Sequence, residues 1–372
     1  MYRYGGKTPL AYAREACDTM MRKFEPQDLP PKGRFHYHQG VFLSGMRKTF
    51  DLCGDEKYLR YIKGWVDSII DESGKIHTFD PGQLDDIQPG ILLYFLLDHT
   101  KDIRYEKALE TLLPCILRFN RNAEGGLWHK DSCPNQMWLD GLYMAGPICA
   151  EYASRYGKKE YLELAVEQAL MMEDRTRDEK TGLLYHAYDA SRSMPWADPK
   201  TGRSAEFWGR SIGWVPVALL DEMDFMEKDW EAYGKLAGMT VRLLEAVMKY
   251  QDESGLWYQV VDKGREEGNW LETSCSCLFA AAIAKAVRIG ILSESCMGAA
   301  QKAFEGVVDR LKWNGKDVLV EYICIGTGVG DYAHYCARPT STNDLHGMGA
   351  YLIMCTELEA AMNAIPAEKI RE

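Results

Sequence analysis

Six segments that are apolar on nearly all sides alternate along this chain with six that are charged and amphipathic, and each apolar segment opens on a run of aromatic and polar side chains. The openings are Phe35-His36-Tyr37-His38-Gln39-Gly40, Leu84-Asp85-Asp86-Ile87-Gln88-Pro89-Gly90, Met137-Trp138-Leu139-Asp140-Gly141, Phe207-Trp208-Gly209-Arg210-Ser211-Ile212-Gly213, Asn269-Trp270-Leu271-Glu272-Thr273-Ser274-Cys275-Ser276 and Ser341-Thr342-Asn343-Asp344-Leu345-His346-Gly347. The residues after each opening, such as Val41-Phe42-Leu43-Ser44-Gly45-Met46, suit a helix surrounded by protein. The intervening stretches, about residues 9–24, 56–71, 103–119, 158–174, 231–250 and 296–312, keep apolar residues on one side, as with Tyr58, Tyr61, Ile62, Trp65 and Ile69. Six inner and six outer helices in alternation predict an all-α fold, an (α/α)6 barrel in which every inner helix is covered.

The last residues of the openings are 50, 51, 72, 63 and 71 positions apart, too long for the short helical solenoid repeats. Length alone favours two domains. No Pro/Ser-rich linker divides the chain, however, so residues 1–372 are read as one catalytic domain. No segment reaches the ~18 apolar residues of a membrane span, and Met1-Tyr2-Arg3-Tyr4-Gly5-Gly6-Lys7 lacks a signal peptide's apolar stretch. A cytoplasmic protein is expected.

Eleven cysteines, odd in number and scattered through helical patterns, read as reduced thiols. Cys275 and Cys277 lack a second ligand pair, and His36 and His38 stand two apart in a loop with no His-x-x-x-His spacing, so neither metal nor cofactor is expected. With 44 basic against 55 acidic residues, the net charge of −11 argues against nucleic-acid and membrane partners. A small-molecule substrate, met by a monomer or weak homo-oligomer, remains. Gly326-Thr327-Gly328-Val329-Gly330-Asp331 lacks the lysine of a phosphate loop and is read as a flexible rim.

A second repeat precedes three openings: Gly126-Leu127-Trp128-His129-Lys130-Asp131, Gly182-Leu183-Leu184-Tyr185-His186-Ala187-Tyr188-Asp189 and Gly255-Leu256-Trp257-Tyr258-Gln259-Val260-Val261-Asp262, in which His129, His186 and Gln259 align. Glycine followed by aromatic and β-branched residues predicts short strands joining outer to inner helices. All of these loops should emerge at one end, which gathers Tyr37, His38, Asp85, Trp138, Asp140, Trp208, Arg210, Trp214 and His346 around a mouth with His129 and His186. Aromatic walls with a few carboxylates, imidazoles and a guanidinium suit a carbohydrate.

Several of these residues have a second reading. Asp85, Asp86 and Asp344 each suit a helix N-cap. Asp140 lies among Trp138, Leu139 and Leu142, where burial should raise its pKa. The helix start opposes that rise, and the Asp85 charge is the expected means of keeping Asp140 protonated. Arg210 is either an ion-pair partner or a clamp on a substrate carboxylate. Trp138 and Trp270 read as packing, Trp208 and Trp214 as pocket walls.

Arg34-x-His36-Tyr37-His38-Gln39-Gly40, Leu84-Asp85-x-Ile87-Gln88, Trp128-His129-Lys130-Asp131, Gln136-Met137-Trp138-Leu139-Asp140-Gly141-Leu142-Tyr143-Met144, Phe207-Trp208-x-Arg210-Ser211-Ile212-Gly213-Trp214 and Ser341-Thr342-Asn343-Asp344-Leu345-His346-Gly347 together resemble the unsaturated rhamnogalacturonyl hydrolases, glycoside hydrolase family 105, over about residues 8–363. The resemblance implies an (α/α)6 barrel acting on 4,5-unsaturated galacturonic acid at the non-reducing end of rhamnogalacturonan fragments. It implies that Asp140 protonates C4 of the vinyl ether while water adds at C5, after which the hemiketal opens and the glycosidic link collapses. It places Asp85, His129, His186, Arg210 and Trp214 around the unsaturated sugar, and Tyr37, His38, Lys130, Thr327 and Gly328 at further pocket positions. Gly209 inside the tryptophan-arginine motif and the glycine-rich 326–331 loop depart from the family and bear on the leaving sugar. The competing readings are an unsaturated glucuronyl hydrolase, a sugar epimerase and a non-catalytic glycan-binding barrel.

Overall fold

Short polar side chains set where the outer helices begin. Thr8 accepts from the Ala11 N–H at the start of α1 (Pro9–Lys23), Asp55 from Lys57 before α3 (Glu56–Asp67), and Asp102 from Arg104 before α5 (Ile103–Leu117). The remaining outer helices are α7 (Lys159–Thr176), α9 (Glu231–Met248) and α11 (Met297–Asp309). Each alternates with an inner helix: α2 (Tyr37–Cys53), α4 (Ile91–Thr100), α6 (Asp140–Tyr156), α8 (Gly209–Met223), α10 (Thr273–Arg288) and α13 (Leu345–Ala364). A one-turn helix, α12 (Tyr332–Cys336), lies outside this alternation. The computed structural model describes residues 2–364, so the ends of the expected 1–372 unit lie outside the described residues.

The inner helices pack in sequence around an axis, and α13 returns against α2, so the ring closes as the expected (α/α)6 barrel. Closure demands close approach. A Cβ on Gly349 would lie 2.5 Å from the backbone carbonyl of Val41, where α13 crosses α2. Gly349→Ala is therefore expected to lower stability by about 1–3 kcal/mol, the usual cost of overpacking, read as a shift in the denaturation midpoint.

The helix starts define the mouth. At the heads of α2, α6 and α8 no side chain caps the first turn, and α4 continues from a 3-10 turn over Gln88–Gly90, where the Gln88 carbonyl accepts from the Ile91 N–H. In contrast, α10 is capped by Glu272, which accepts from the Cys275 N–H and also holds Ser274 and the Cys324 N–H. At the opposite end of the ring, Lys285 pairs with Asp221 at 2.6 Å and Lys48 with Glu357 at 2.9 Å, tying α2, α8, α10 and α13 together.

Candidate active site

One backbone pattern recurs around the mouth and sets the site. The carbonyl of His129 accepts from Leu84 N–H at 3.1 Å, that of His186 from Leu139 at 3.0 Å, and that of Gln259 from Gly209 at 2.9 Å. Each donor is the residue before Asp85, Asp140 and Arg210. In turn the N–H groups of His129, His186 and Gln259 donate to the carbonyls of Gln136 and Glu206, each just before the next opening, and of Trp270 within it. Two of the three expected short strands form in this belt: β2 (Ala187–Asp189) pairs antiparallel with β1 (Gln136–Trp138), and β3 (Trp257–Tyr258) with β4 (Leu271–Glu272), whereas the 126–131 stretch makes only isolated bridges at Leu127 and Lys130. The three aligned loop residues are thus equivalent in space, and each faces one functional side chain of the preceding opening.

Asp85 with His129 and Asp140 with His186 are two copies of one carboxylate–imidazole unit. Their surroundings separate them. Asp85 is held by Lys130 at 2.6 Å, with His129 at 3.5 Å and His36 at 3.8 Å, so it is a fixed anion despite its burial. Among the described residues Asp140 Oδ2 meets only His186 Nε2, at 3.0 Å, and His186 Nδ1 meets the Tyr335 hydroxyl at 2.7 Å. The Gly330 N–H donates to that hydroxyl at 3.2 Å, so the phenol proton is directed at His186 Nδ1 and the ring's Nε2–H at Asp140.

The electrostatics correct two expectations. Burial does push the Asp140 carboxyl upward, but the His186 hydrogen bond, with the charges of His186, His129 and Arg210, outweighs it and leaves the pKa below the usual carboxylate value. Nor is the Asp85 charge free to hold a proton on Asp140, because Lys130 neutralises it. Neither Asp85 nor Asp86 caps a helix: Asp85 binds Lys130, while Asp86 accepts from the Asp80 N–H at 3.0 Å and is pushed up to about 7 by burial.

A cavity of about 320 Å³ opens between these groups, lined by His36, Tyr37, His38, Asp85, His129, Lys130, Trp138, Asp140, Met144, Trp208, Arg210, Trp214, Gly326, Thr327 and Gly328. His186 and His346 do not line it: both are fully buried one layer behind, His186 on Asp140 and His346 on the Cys324 carbonyl at 2.9 Å. Trp138, expected to be packing, is a wall, stacked on His129 at 4.3 Å. Trp270 does pack, donating to the Cys336 carbonyl, and the fifth opening contributes structure alone. Tyr335 escaped the sequence reading entirely, since a buried tyrosine on a one-turn helix leaves no periodic signal.

Arg210 is 2 % exposed and lies under Trp208, 4.6 Å from the ring centroid. Its guanidinium donates to the carbonyls of Cys324 at 2.5 Å and Ile325 at 2.8 Å, and it forms no ion pair among the described residues. The ion-pair reading therefore fails, and a buried positive charge lines the cavity without a carboxylate. Gly209 beside it is required by packing, because a Cβ there would lie 2.9 Å from the Cys275 sulfur. The 326–330 rim is tethered rather than loose: Arg338 donates to the Gly326 carbonyl and Thr327 hydroxyl, and His334 meets the Gly328 carbonyl.

Carboxylate–imidazole units repeated around the aromatic-walled mouth of a two-layered helical ring suit a carbohydrate-processing enzyme. Residues 12–362 match the model of Glycosyl Hydrolase Family 88, and the chain belongs to that family of glycoside hydrolases. It is 27% identical over 296 residues, 78% of this chain and 79% of the relative, to the unsaturated rhamnogalacturonyl hydrolase YesR of Bacillus subtilis (strain 168). A family 105 glycoside hydrolase of C. acetobutylicum ATCC 824 superposes with a TM-score of 0.89 at 32% identity, covering 94% of this chain and 99% of that one. The unsaturated glucuronyl hydrolase of Bacillus sp. GL1 shares the fold, with a TM-score of 0.71 at 15% identity over 94% of this chain and 95% of its own.

Proposed function

We propose that this enzyme releases 4,5-unsaturated galacturonic acid from the non-reducing end of rhamnogalacturonan oligosaccharides by hydrating the C4=C5 vinyl ether. The observation that carries this reading is a buried guanidinium without a carboxylate partner, Arg210, sharing one cavity with a partly exposed acid, Asp140. An unsaturated uronate supplies both missing elements, a planar carboxylate for Arg210 and an electron-rich alkene for a proton. The likeness to the rhamnogalacturonyl relative supports the same choice.

In this mechanism the bound carboxylate offsets the Arg210 charge and raises the affinity of Asp140 for a proton. The Tyr335–His186 chain keeps its polarity: His186 Nε2–H still donates to Asp140 Oδ2, so the transferable proton is carried on Oδ1. Asp140 delivers its proton to C4, water attacks C5, and the carboxylate so formed takes the water's second proton. The C5 hemiketal opens to a ketone, C1 becomes a hemiacetal, and the leaving sugar departs as an alcohol. Asp85 and Lys130 orient sugar hydroxyls, Tyr37, His38, Trp138, Trp208, Trp214, Thr327 and Gly328 shape the pocket with His129, and His186 acts on Asp140 as a positioning residue. The chain works as one catalytic unit, monomeric or weakly self-associating, and its eleven unpaired cysteines favour the reducing cytoplasm.

The test is the ultraviolet absorbance of the conjugated uronate. Wild-type enzyme is expected to abolish it with unsaturated rhamnogalacturonan disaccharide and to leave it with unsaturated chondroitin disaccharide. The reverse pattern favours the glucuronyl hydrolase reading, and no loss with either sinks hydration altogether. Arg210→Lys keeps the charge but loses the planar fork, so kcat/KM for the first substrate should fall ~10–100-fold, the worth of a hydrogen bond to a charged group.

A further inference from the structure

Three ligand-type side chains converge where the ring closes. His38 stands in the first turn of α2, Asp344 and His346 at the head of α13, and one metal-binding atom from each lies within 4.8 Å of the other two. Sequence spacing argued against a metal because His36 and His38 stand two apart in a loop with no His-x-x-x-His spacing, so the local chain offers no ligand partner. The fold supplies that partner from the other side of the seam.

What holds the second nitrogen of each imidazole makes these residues ligands rather than neighbours. His346 Nε2 lies 2.9 Å from the Cys324 carbonyl, which can only accept, so Nε2 carries the proton. In the neutral ring Nδ1 is then a bare lone pair. That atom is fully buried and stands 2.9 Å from Asp344 Oδ1, close enough that a positive charge must lie between the two: a second ring proton, which makes an imidazolium–carboxylate ion pair, or a metal ion, which makes both atoms ligands.

On the opposite side, His38 Nδ1 lies 3.0 Å from His36 Nδ1, so one of the two donates. With His38 as donor its Nε2 is free to ligate, and His36, whose Nε2 points to Asp85 at 3.8 Å, becomes the outer partner. A carbonyl behind one imidazole and a hydrogen-bonded ring behind the other is how protein metal sites orient their histidines.

We infer that His38, Asp344 and His346 bind a divalent transition-metal ion, Zn²⁺ in the first instance, which staples the first inner helix to the last. Two imidazoles with one carboxylate suit Zn²⁺ or Co²⁺, whereas Ca²⁺ and Mg²⁺ take oxygen ligands. Three protein ligands leave a position open for water, on the side of His38 that lines the cavity. The inference stands apart from the proposed proton transfer, which is assigned to Asp140, while His38 also lines the substrate pocket.

Chelator-treated protein dialysed against Zn²⁺ or Co²⁺ is expected to retain one equivalent per chain by elemental analysis and to melt at higher temperature with metal than without. Asp344→Asn and His38→Gln, chosen because both side chains are only half-buried, should lower Zn²⁺ affinity at least ~10-fold and remove the melting shift. X-ray absorption of the wild-type Zn²⁺ form should show two imidazoles and an oxygen donor at about 2.0–2.2 Å. Substoichiometric retention, equal affinity in wild type and both variants, or a metal shell without imidazole overturns the assignment. The absorption spectrum needs wild-type protein alone, so it decides the matter even where a variant fails to fold.

Discussion

Asp140→Asn is expected to reduce turnover of the unsaturated disaccharide by ~10²–10⁴-fold, the contribution of a positioned acid and base. The reasoning is chemical rather than steric. An asparagine oxygen still accepts from His186 Nε2–H, so the residue keeps its place beside the Tyr335 chain while losing the only proton it could give to C4. KM should change little and folding should be intact. A variant that retains near wild-type turnover removes Asp140 from the mechanism. The pH dependence carries a further sign. In the free enzyme the Asp140 carboxyl lies below the usual value, so kcat/KM should decline as pH rises above it. Once the substrate carboxylate sits against Arg210 the proton is held more tightly, and kcat should persist to higher pH than kcat/KM.

Glu222→Gln should stabilise the fold, by an amount that grows with pH. Glu222 is 1 % exposed on α8, both of its oxygens lack hydrogen-bond partners among the described residues, and it fits because its neighbour on α6 is Gly146, where a Cβ would collide with Oε1. Burial, aided by the adjacent Asp221 charge, pushes its carboxyl up to about 8 from an ordinary 4.5. A folded-state pKa above the unfolded one means that stability is complete below the unfolded value and lost as pH rises through the folded one. Glutamine has the same shape and no proton to lose. Wild type and variant should therefore differ little in pH dependence below pH ~4.5, then diverge by about 1.4 kcal/mol per pH unit, reaching roughly 3 kcal/mol near neutrality and levelling off above pH ~8. Denaturant midpoints across that range measure it. Parallel curves would mean that Glu222 is solvated or paired.

Hydrophobic periodicity made the helices legible because burial repeats along a helix: the stretches expected about 9–24, 103–119 and 231–250 are Pro9–Lys23, Ile103–Leu117 and Glu231–Met248. The alignment of His129, His186 and Gln259 was legible for a related reason, since each fills the same place in the backbone belt. Protonation states were not. Apolar neighbours in the sequence suggested a raised Asp140, yet its pKa is set by His186, 46 residues away, and by charges that only closure brings near. Lys130 is next to His129 in the chain, but nothing in that adjacency says that it, rather than Asp140, would be the partner of Asp85.

The belt that joins Leu139 N–H to the His186 carbonyl and continues as the β1–β2 pairing has a mechanical consequence. Proton donor and imidazole are spaced by main-chain rungs and not by the packing of the helices behind them. A shift of an outer helix is therefore expected to carry the two side chains together and to keep their 3.0 Å contact. Such a barrel can be resurfaced or slightly dilated without detuning its acid, and tolerance to substitution in α6 and α8 should be wider than their nearness to the chemistry suggests.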